Sequence, residues 1–448
     1  MSIRKRTWTS RKGKQEAWIV DYTDQHGKRR HKTFAKKKDA DNYAASTHVQ
    51  VREGTHVADS QSITVLEAGR LWLRSAEAEG VEKTTWEQYE QHLRLHIAPF
   101  LGPIRLSQLS ALHVTEFRDR LRAGDPELTP AELHKLRKDM RSDGRRRKNG
   151  GQRGNEKLTD DALRRLPRSP AMVRGIISSL GALLANALEQ QLVGRNVVRE
   201  LRKRRKRGTA RDDRHKTKLK TGVDIPTPDE IRRLIAQAKG RWRPFLITAI
   251  GTGLRASELR GLLWTDLDLT DGKSELHVRQ RADRFNQMGP PKSGAGQRTI
   301  PLTPTVVSEL REWKLKCPKK NGKLGLVFPN GKGNVESHNN IVRRGLIPAI
   351  LAAGIANPAL DERGVAKRDE GGKPIVEPKY TGLHVLRHFF ASWCIERLEN
   401  GGRALPPKHV QTLLGHSTIT MTLDTYGHLF PRGDDADELK AADKRLFG

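Results

Sequence analysis

The chain has 448 residues, with 84 Lys plus Arg against 52 Asp plus Glu and a formal net charge of +32. That length suits two or three domains of about 100–200 residues each, and the charge suits a polyanion, with DNA the leading candidate because bound cations release its counterions. The two cysteines, Cys317 and Cys394, lack metal-ligand spacing, so neither a disulfide framework nor a zinc site is expected. The opening M-S-I-R-K-R-T-W-T-S has no apolar core and does not read as a signal peptide. No stretch reads as the roughly 20 apolar residues of a membrane span, so the expectation is a cytoplasmic protein without a membrane partner. A ribosome-associated protein, or one simply kept soluble by charge, is the bland alternative.

In chain order, Trp18, Val20 and Tyr22 alternate, Asp24 to Gly27 turn, and an extended run resumes toward Phe34. That pattern predicts a hairpin, and Ala35 to Val51 reads as a helix, closing a basic unit over residues 1–58. Residues 62–200 predict helices. Trp86, Tyr89, Leu93 and Ile97 recur at spacings of three and four, ended by Pro99 and Gly102. A further long helix runs from Pro170 to Val193. Within that region, residues 123–168 are polar and charged and longer than an ordinary connection. Their charges either track phosphate or are only solvated.

The basic linker 201–224 opens with Arg202, Lys203, Arg204, Arg205, Lys206 and Arg207, a run that either contacts phosphate or is solvated. A second compositional unit spans 225–432. Thr227 is the expected N-cap of its first helix, with Pro228 at the first position and Glu230 in the capping-box place. Short strands are expected at Glu275 to Val278 and Arg298 to Leu302, and a second charged insertion near 356–379. In the tail, 433–448, Gly433 can break the preceding helix. Ala436, Leu439, Ala442 and Leu446 then form a thin apolar stripe.

Three segments carry the chemistry. T-G-L-R-A-S-E-L-R-G-L, from Thr252 to Leu262, holds Arg255 and Glu258 three residues apart, on one face if the segment is helical. H-V-L-R-H holds His384 and Arg387 at the same spacing, and L-L-G-H-S-T-I-T-M-T-L-D-T-Y holds His416 and Tyr426. A tyrosine can attack a phosphodiester, arginines can hold the transition-state charge, and histidines can bond the phosphate or move protons. Singly, each has a plain reading: a surface ion pair, a packed histidine, a core tyrosine. There is no G-x-x-x-x-G-K-[ST] loop for ATP and no paired acidic cluster for two-metal hydrolysis.

Together, in this order and spacing, these segments resemble the tyrosine recombinases, the phage-integrase family. The resemblance implies that Tyr426 is the nucleophile and that Arg255 and Arg387 hold the non-bridging oxygens of the scissile phosphate. His384 and His416 would assist them, and Glu258 would support Arg255. It implies a leaving-group acid on a β-hairpin lysine, for which Lys292 in P-P-K-S-G-A-G-Q-R is the choice and Lys273 in D-G-K-S the competitor. His388 receives no catalytic role and is expected to face the core or its own helix.

The implied fold is multidomain and mainly α with small β-sheets. It comprises an N-terminal three-stranded sheet plus helix, a helical core-binding domain and a mixed α+β catalytic domain. The first would be an arm-type DNA-binding domain, with Arg29 and Arg30 among its contacts. The implied partners are double-stranded DNA, a homotetramer on that DNA, and accessory DNA-bending or directionality proteins. Neither metal nor cofactor is implied. The expected function is integration of a prophage or genomic island through a 3′-phosphotyrosine intermediate. A type IB-like topoisomerase, or a non-catalytic DNA-binding protein with this fold, is the alternative.

Overall fold

Three antiparallel strands, Ser2–Ser10, Gly13–Thr23 and Arg29–Phe34, open the chain in a computed structural model. That structure describes residues 1–10, 13–25, 27–54, 56–125, 127, 129, 131–132, 165–201, 218–318, 325–361, 364–430 and 435–447. The predicted hairpin is the second and third strands, with Trp18 opposite Phe34 and Tyr22 opposite Arg30. Asp24 builds its turn by accepting from the Lys28 N–H with its side chain at 2.9 Å. The helix Lys37–Arg52 lays Ala40 and Ala44 over Val20 and Tyr22 to make a small core.

The helical region that follows is Val65–Ala78, Lys83–His92, Ala98–Leu101, Ala111–Ala123 and Pro170–Glu189. Thr64 and Glu67 cap the first of these reciprocally. Pro99 does not end its helix as expected. The wide π-type turn Leu93–Ile97 precedes it, so the backbone already departs from α pairing where Pro99 lacks its N–H. Gly102 then ends the run.

The Pro170–Glu189 helix has 20 residues and, over its most apolar 18, a mean hydropathy of 1.5, so by length and composition alone it could pass for a membrane span. Here Val173, Ile176, Leu180, Leu183 and Leu184 are buried with Trp72, Leu93 and Phe117 in the core of the helical region. The first charged insertion lies almost wholly outside the described residues. Its two ends are pinned together, Asp125 N–H donating to the Arg165 carbonyl and Arg168 N–H to that of Leu121, each at 2.8 Å. The basic run Arg202 to Arg207 also lies outside the described residues.

The chain divides into two compact units, Met1–Asp212 and Asp213–Gly448. In the second, Thr227 and Glu230 form the expected capping box ahead of the helix Pro228–Gln237. Glu230 also accepts from the Tyr380 hydroxyl at 2.9 Å and pairs with Lys379. The apolar helix Trp242–Thr252 is buried along most of its length against His384–Ile395. It stops at Gly253, whose φ of +61° is left-handed and where a Cβ would meet Phe390 at 2.3 Å. Only glycine fits there, and the turn delivers Arg255.

A three-stranded antiparallel sheet follows: Leu267–Asp268, Glu275–Val278 in the middle, and Arg298–Pro301. The second insertion is more ordered than a charged interruption. Ala356–Pro358 pairs with Val376–Pro378, and bridges join Leu360 to Ala366 and Arg368 to Pro374. Asp361 and Asp369 each close a tight turn by accepting backbone N–H groups. The last helices are Pro407–Leu414, Ile419–Tyr426 and Asp435–Phe447. Leu439 and Leu446 of the final helix are exposed.

Candidate active site

The helix Pro407–Leu414 ends at Gly415, which sits at φ +62°. Its last carbonyls have no partner within the helix and carry the negative end of its dipole. Three arginines meet them in sequence. Arg298 Nε donates to the Leu413 carbonyl at 2.7 Å, Arg387 Nη2 to that of Leu414, and Arg255 Nη2 to that of Gly415 at 3.0 Å. A Cβ on residue 415 would lie 2.8 Å from Arg298 Nη1 and 3.0 Å from the Ala295 carbonyl. The glycine of L-L-G-H therefore lets the guanidiniums close in.

Glu258 pairs with two of these cations. Its carboxylate accepts from Arg298 Nη2 at 2.9 Å and from Arg255 Nη1 at 2.8 Å, and from the Arg255 backbone N–H. Burial alone would raise the Glu258 pKa, but the charge and hydrogen bonds of Arg298, with those of Arg255, hold it below the usual carboxylate range. The Arg298 and Glu258 side chains are 2% and 3% exposed, whereas that of Arg255 is 32% exposed. Arg298 is thus a buried strut, and Arg255 keeps a face toward solvent. From sequence alone Arg298 is no more than the first residue of a strand.

Arg387 also donates from Nη1 to the Gly253 carbonyl at 2.8 Å, which ties the T-G-L-R turn to the L-L-G turn. Burial, and then the nearby charge of Arg255, pull its pKa down to about 9, so it stays cationic at neutral pH. Arg255, His384, Arg387, His388, His416 and Tyr426 line one cavity of about 350 Å³. Thr422, fully buried, bonds His416 Nδ1 through its hydroxyl at 2.9 Å. That fixes the ring with Nε2 remaining for other partners. Burial, then Arg387 and Arg255, lower the His416 pKa to about 4, and burial with the same two arginines lowers that of His384.

The Tyr426 side chain is 1% exposed. Burial raises its pKa to about 12, against the opposing pull of Arg387. Its hydroxyl lies 2.7 Å from His388 Nδ1. This corrects the reading of His388 as a residue facing the core. The signal was available: His388 is four residues from His384, so a helix that turns His384 into a cavity turns His388 there too.

The structure does not bring either lysine to this cavity. Lys292 is exposed between the short strand Met288–Gly289 and the turn Gly294–Gly296, and Lys273 is exposed in the turn before Glu275. In the N-terminal sheet Arg29 is exposed, but Arg30 is held by Asp24 at 2.9 Å with only 13% of its side chain exposed. Among the described residues no group of three or more His, Cys, Asp or Glu is arranged to hold a metal ion.

Residues 225–432 match the phage integrase family, and residues 68–122 match the phage integrase N-terminal SAM-like domain. The chain belongs to the tyrosine recombinase, or phage integrase, family. Among curated tyrosine recombinases, a XerC-like protein of Caldanaerobacter subterraneus subsp. tengcongensis is 29% identical over 233 residues, 48% of this chain and 53% of that one. The prophage integrase IntR of Escherichia coli is 26% identical over 209 residues, 44% of this chain and 46% of its own. The chain thus spans about half the length of the curated relatives it matches. In fold it is similar to the Tn1549 transposon integrase, solved in complex with a circular intermediate DNA. The TM-score is 0.53 at 20% identity, covering 86% of this chain and 100% of that one. The mainly helical multidomain architecture with small antiparallel sheets is therefore that of the integrases.

Proposed function

We propose that the chain is a site-specific DNA recombinase of a prophage or genomic island, cutting and rejoining DNA through a 3′-phosphotyrosine link. The observation that carries this reading is Tyr426 lining one cavity with Arg255, Arg387 and three histidines. The phenol oxygen attacks the scissile phosphorus and the deoxyribose 5′ oxygen leaves. Arg255 and Arg387 each bond a non-bridging oxygen, where planar guanidiniums suit phosphate geometry. The carbonyls of Gly253, Leu414 and Gly415 fix both guanidiniums before substrate arrives, so little reorganisation accompanies the transition state. His384 and His416, kept neutral, act as hydrogen-bond partners of the phosphate. Lys292 is the proposed acid for the leaving oxygen, and its exposed loop has to close over DNA to reach it. The phosphotyrosine conserves bond energy, so rejoining needs no nucleotide.

The domain roles follow the same reading. Residues 1–58 bind arm sites, 62–200 and 225–432 clamp the core site, and the basic linker 201–224 lies along phosphates. The assembly is a homotetramer on two DNA sites, helped by DNA-bending or directionality proteins, in the bacterial cytoplasm at the nucleoid. The test is a nicked suicide duplex drawn from the DNA that flanks the gene. Covalent protein–DNA adduct through Tyr426 is expected, followed by joining of two separate duplexes. Adduct with relaxation but no joining would favour the topoisomerase, and absence of adduct would leave a DNA-binding protein.

A further inference from the structure

Cleavage requires that the phenol lose its proton as its oxygen bonds phosphorus, and something must receive it. Arg255 and Arg387 cannot, because guanidinium has donors and no acceptor. His416 makes no hydrogen bond to the phenol among the described residues. Its Nδ1 is engaged by Thr422, and its ring lies parallel to that of Tyr426 with centroids 6.5 Å apart. The His384 ring packs edge-on against His388 at 4.6 Å. Among the described residues, the hydrogen-bond partner of the Tyr426 hydroxyl is His388 Nδ1. The two rings meet at 63°, centroids 5.7 Å apart.

We infer that His388 is a further catalytic residue, the general base that accepts the Tyr426 proton during cleavage and returns it during rejoining. The inference rests on the recombinase reading above. In cleavage the Oη–phosphorus bond forms, the phosphorus–O5′ bond breaks, and the phenol proton moves to Nδ1. The 5′ oxygen takes its own proton from the leaving-group acid. Rejoining reverses each transfer: the 5′ hydroxyl attacks, and the imidazolium returns its proton to the departing phenol. No oxidant or reductant enters.

The surroundings favour this division of labour. Burial, then His384 and Arg387, bring the His388 pKa down to about 4, against a small opposite effect of Asp224. The ring is therefore unprotonated at neutral pH and its Nδ1 can accept. With the phenol pushed up to about 12, transfer before attack is strongly uphill. The proton must move as the new bond drains charge from the oxygen, which is the condition under which a positioned base helps.

The test uses the full chain and the nicked suicide duplex, with single-turnover adduct formation as the readout. His388→Ala and His388→Gln should each slow adduct formation by about 10²-fold while the footprint on the duplex is unchanged. Gln can keep a hydrogen bond to the phenol but cannot take its proton. Replacing Tyr426 by difluorotyrosine, a more acidic phenol, should restore most of the rate lost in His388→Ala and change the wild-type rate little. Wild-type rate in His388→Gln would overturn the inference, as would an undiminished deficit in the fluorinated His388→Ala protein. An unmodified chain that forms no adduct would instead overturn the recombinase reading.

Discussion

Among the described residues two tyrosines each bond a histidine ring, one in each compact unit, and of the two only Tyr426 also lines a cavity with arginines. Tyr22 bonds His56 Nε2 at 2.8 Å, and Tyr426 bonds His388 Nδ1 at 2.7 Å. Both phenols are nearly inaccessible, at 6% and 1% exposed. Their neighbours differ in sign. Burial raises the Tyr22 pKa, and its hydrogen bond to Tyr43 and the charge of Asp59 raise it further, with Arg30 opposing. Around Tyr426 the charged neighbour is Arg387, which pulls the other way. Tyr22 is packed beside Val20, Ala40 and Ala44, whereas Tyr426 faces a cavity lined by two arginines. A tyrosine–histidine bond is thus not itself a nucleophile. The sign of the surrounding charge and the adjoining cavity are what set Tyr426 apart from Tyr22.

Exchanging the two tyrosines for phenylalanine breaks the comparison most sharply. Tyr426→Phe should form no covalent adduct on a nicked suicide duplex and keep its footprint. The same change at Tyr22 should leave adduct yield unaltered. Adduct of full yield from the Tyr426 variant would move the nucleophile elsewhere.

The next largest effect concerns the cations that separate the pairs. Arg255→Ala and Arg387→Ala should each slow cleavage by about 10²–10³-fold, the loss typical of a removed oxyanion donor. Arg387 also ties Gly253 to Leu414, so its variant should melt earlier than that of Arg255, which a thermal scan of both would show. Equal melting would mean the carbonyl contacts add little to stability.

Much of this site was legible because the chemistry depends on residue types at fixed short spacings. Arg255 with Glu258, His384 with Arg387, and the L-L-G-H block stand out within their own segments. The long-range contacts were not legible. Arg298 reaches Glu258 across 40 positions and Leu413 across 115, and no local pattern encodes such bonds. Thr422 reads as one more helical residue until His416 is seen against it. His388 stands four residues from His384, so the helical period alone puts it on the same face. In the fold, the hairpin, the capping box at Thr227 and the strands at 275 and 298 followed from pattern alone. Pro99 misled because a π-type turn absorbs its missing donor, and the ribbon at 356–379 hid because its turns rest on two aspartates within a charged run.

A stability effect of intermediate size sharpens the role of the surrounding charge. Arg298→Ala should cost about 3–5 kcal/mol in denaturant unfolding, because it leaves the Glu258 carboxylate buried without its main partner. Changing both residues to methionine should recover part of that loss. Cleavage should stay low in the double variant, since Arg255 would have lost the carboxylate that orients it. A single variant as stable as the parent would mean that water replaces the guanidinium.

The smallest effect is expected at the pair without chemistry. Tyr22→Phe removes a hydroxyl that lies 2.8 Å from His56 Nε2 and 3.2 Å from the Tyr43 hydroxyl. A hydrogen bond of this kind contributes about 0.5–1.5 kcal/mol net, and the ring contacts with Tyr43 and His56 survive the change. His56 is 5% exposed and its pKa is lowered, by burial first, against the raising effect of Asp24 and Asp59. Its neutral ring keeps the bond from Nδ1 to Gln50 at 3.3 Å, so one ring nitrogen stays satisfied. The cost should therefore be about 1–2 kcal/mol, the hydrogen bond plus part of the desolvation of Nε2. Urea unfolding followed by Trp18 fluorescence would measure it, since Trp18 packs on this core. A loss above about 3 kcal/mol, in the range of a broken buried charge pair, would mean that His56 carries a proton there. The two tyrosine–histidine pairs would then differ in protonation state as well as in the charge around them.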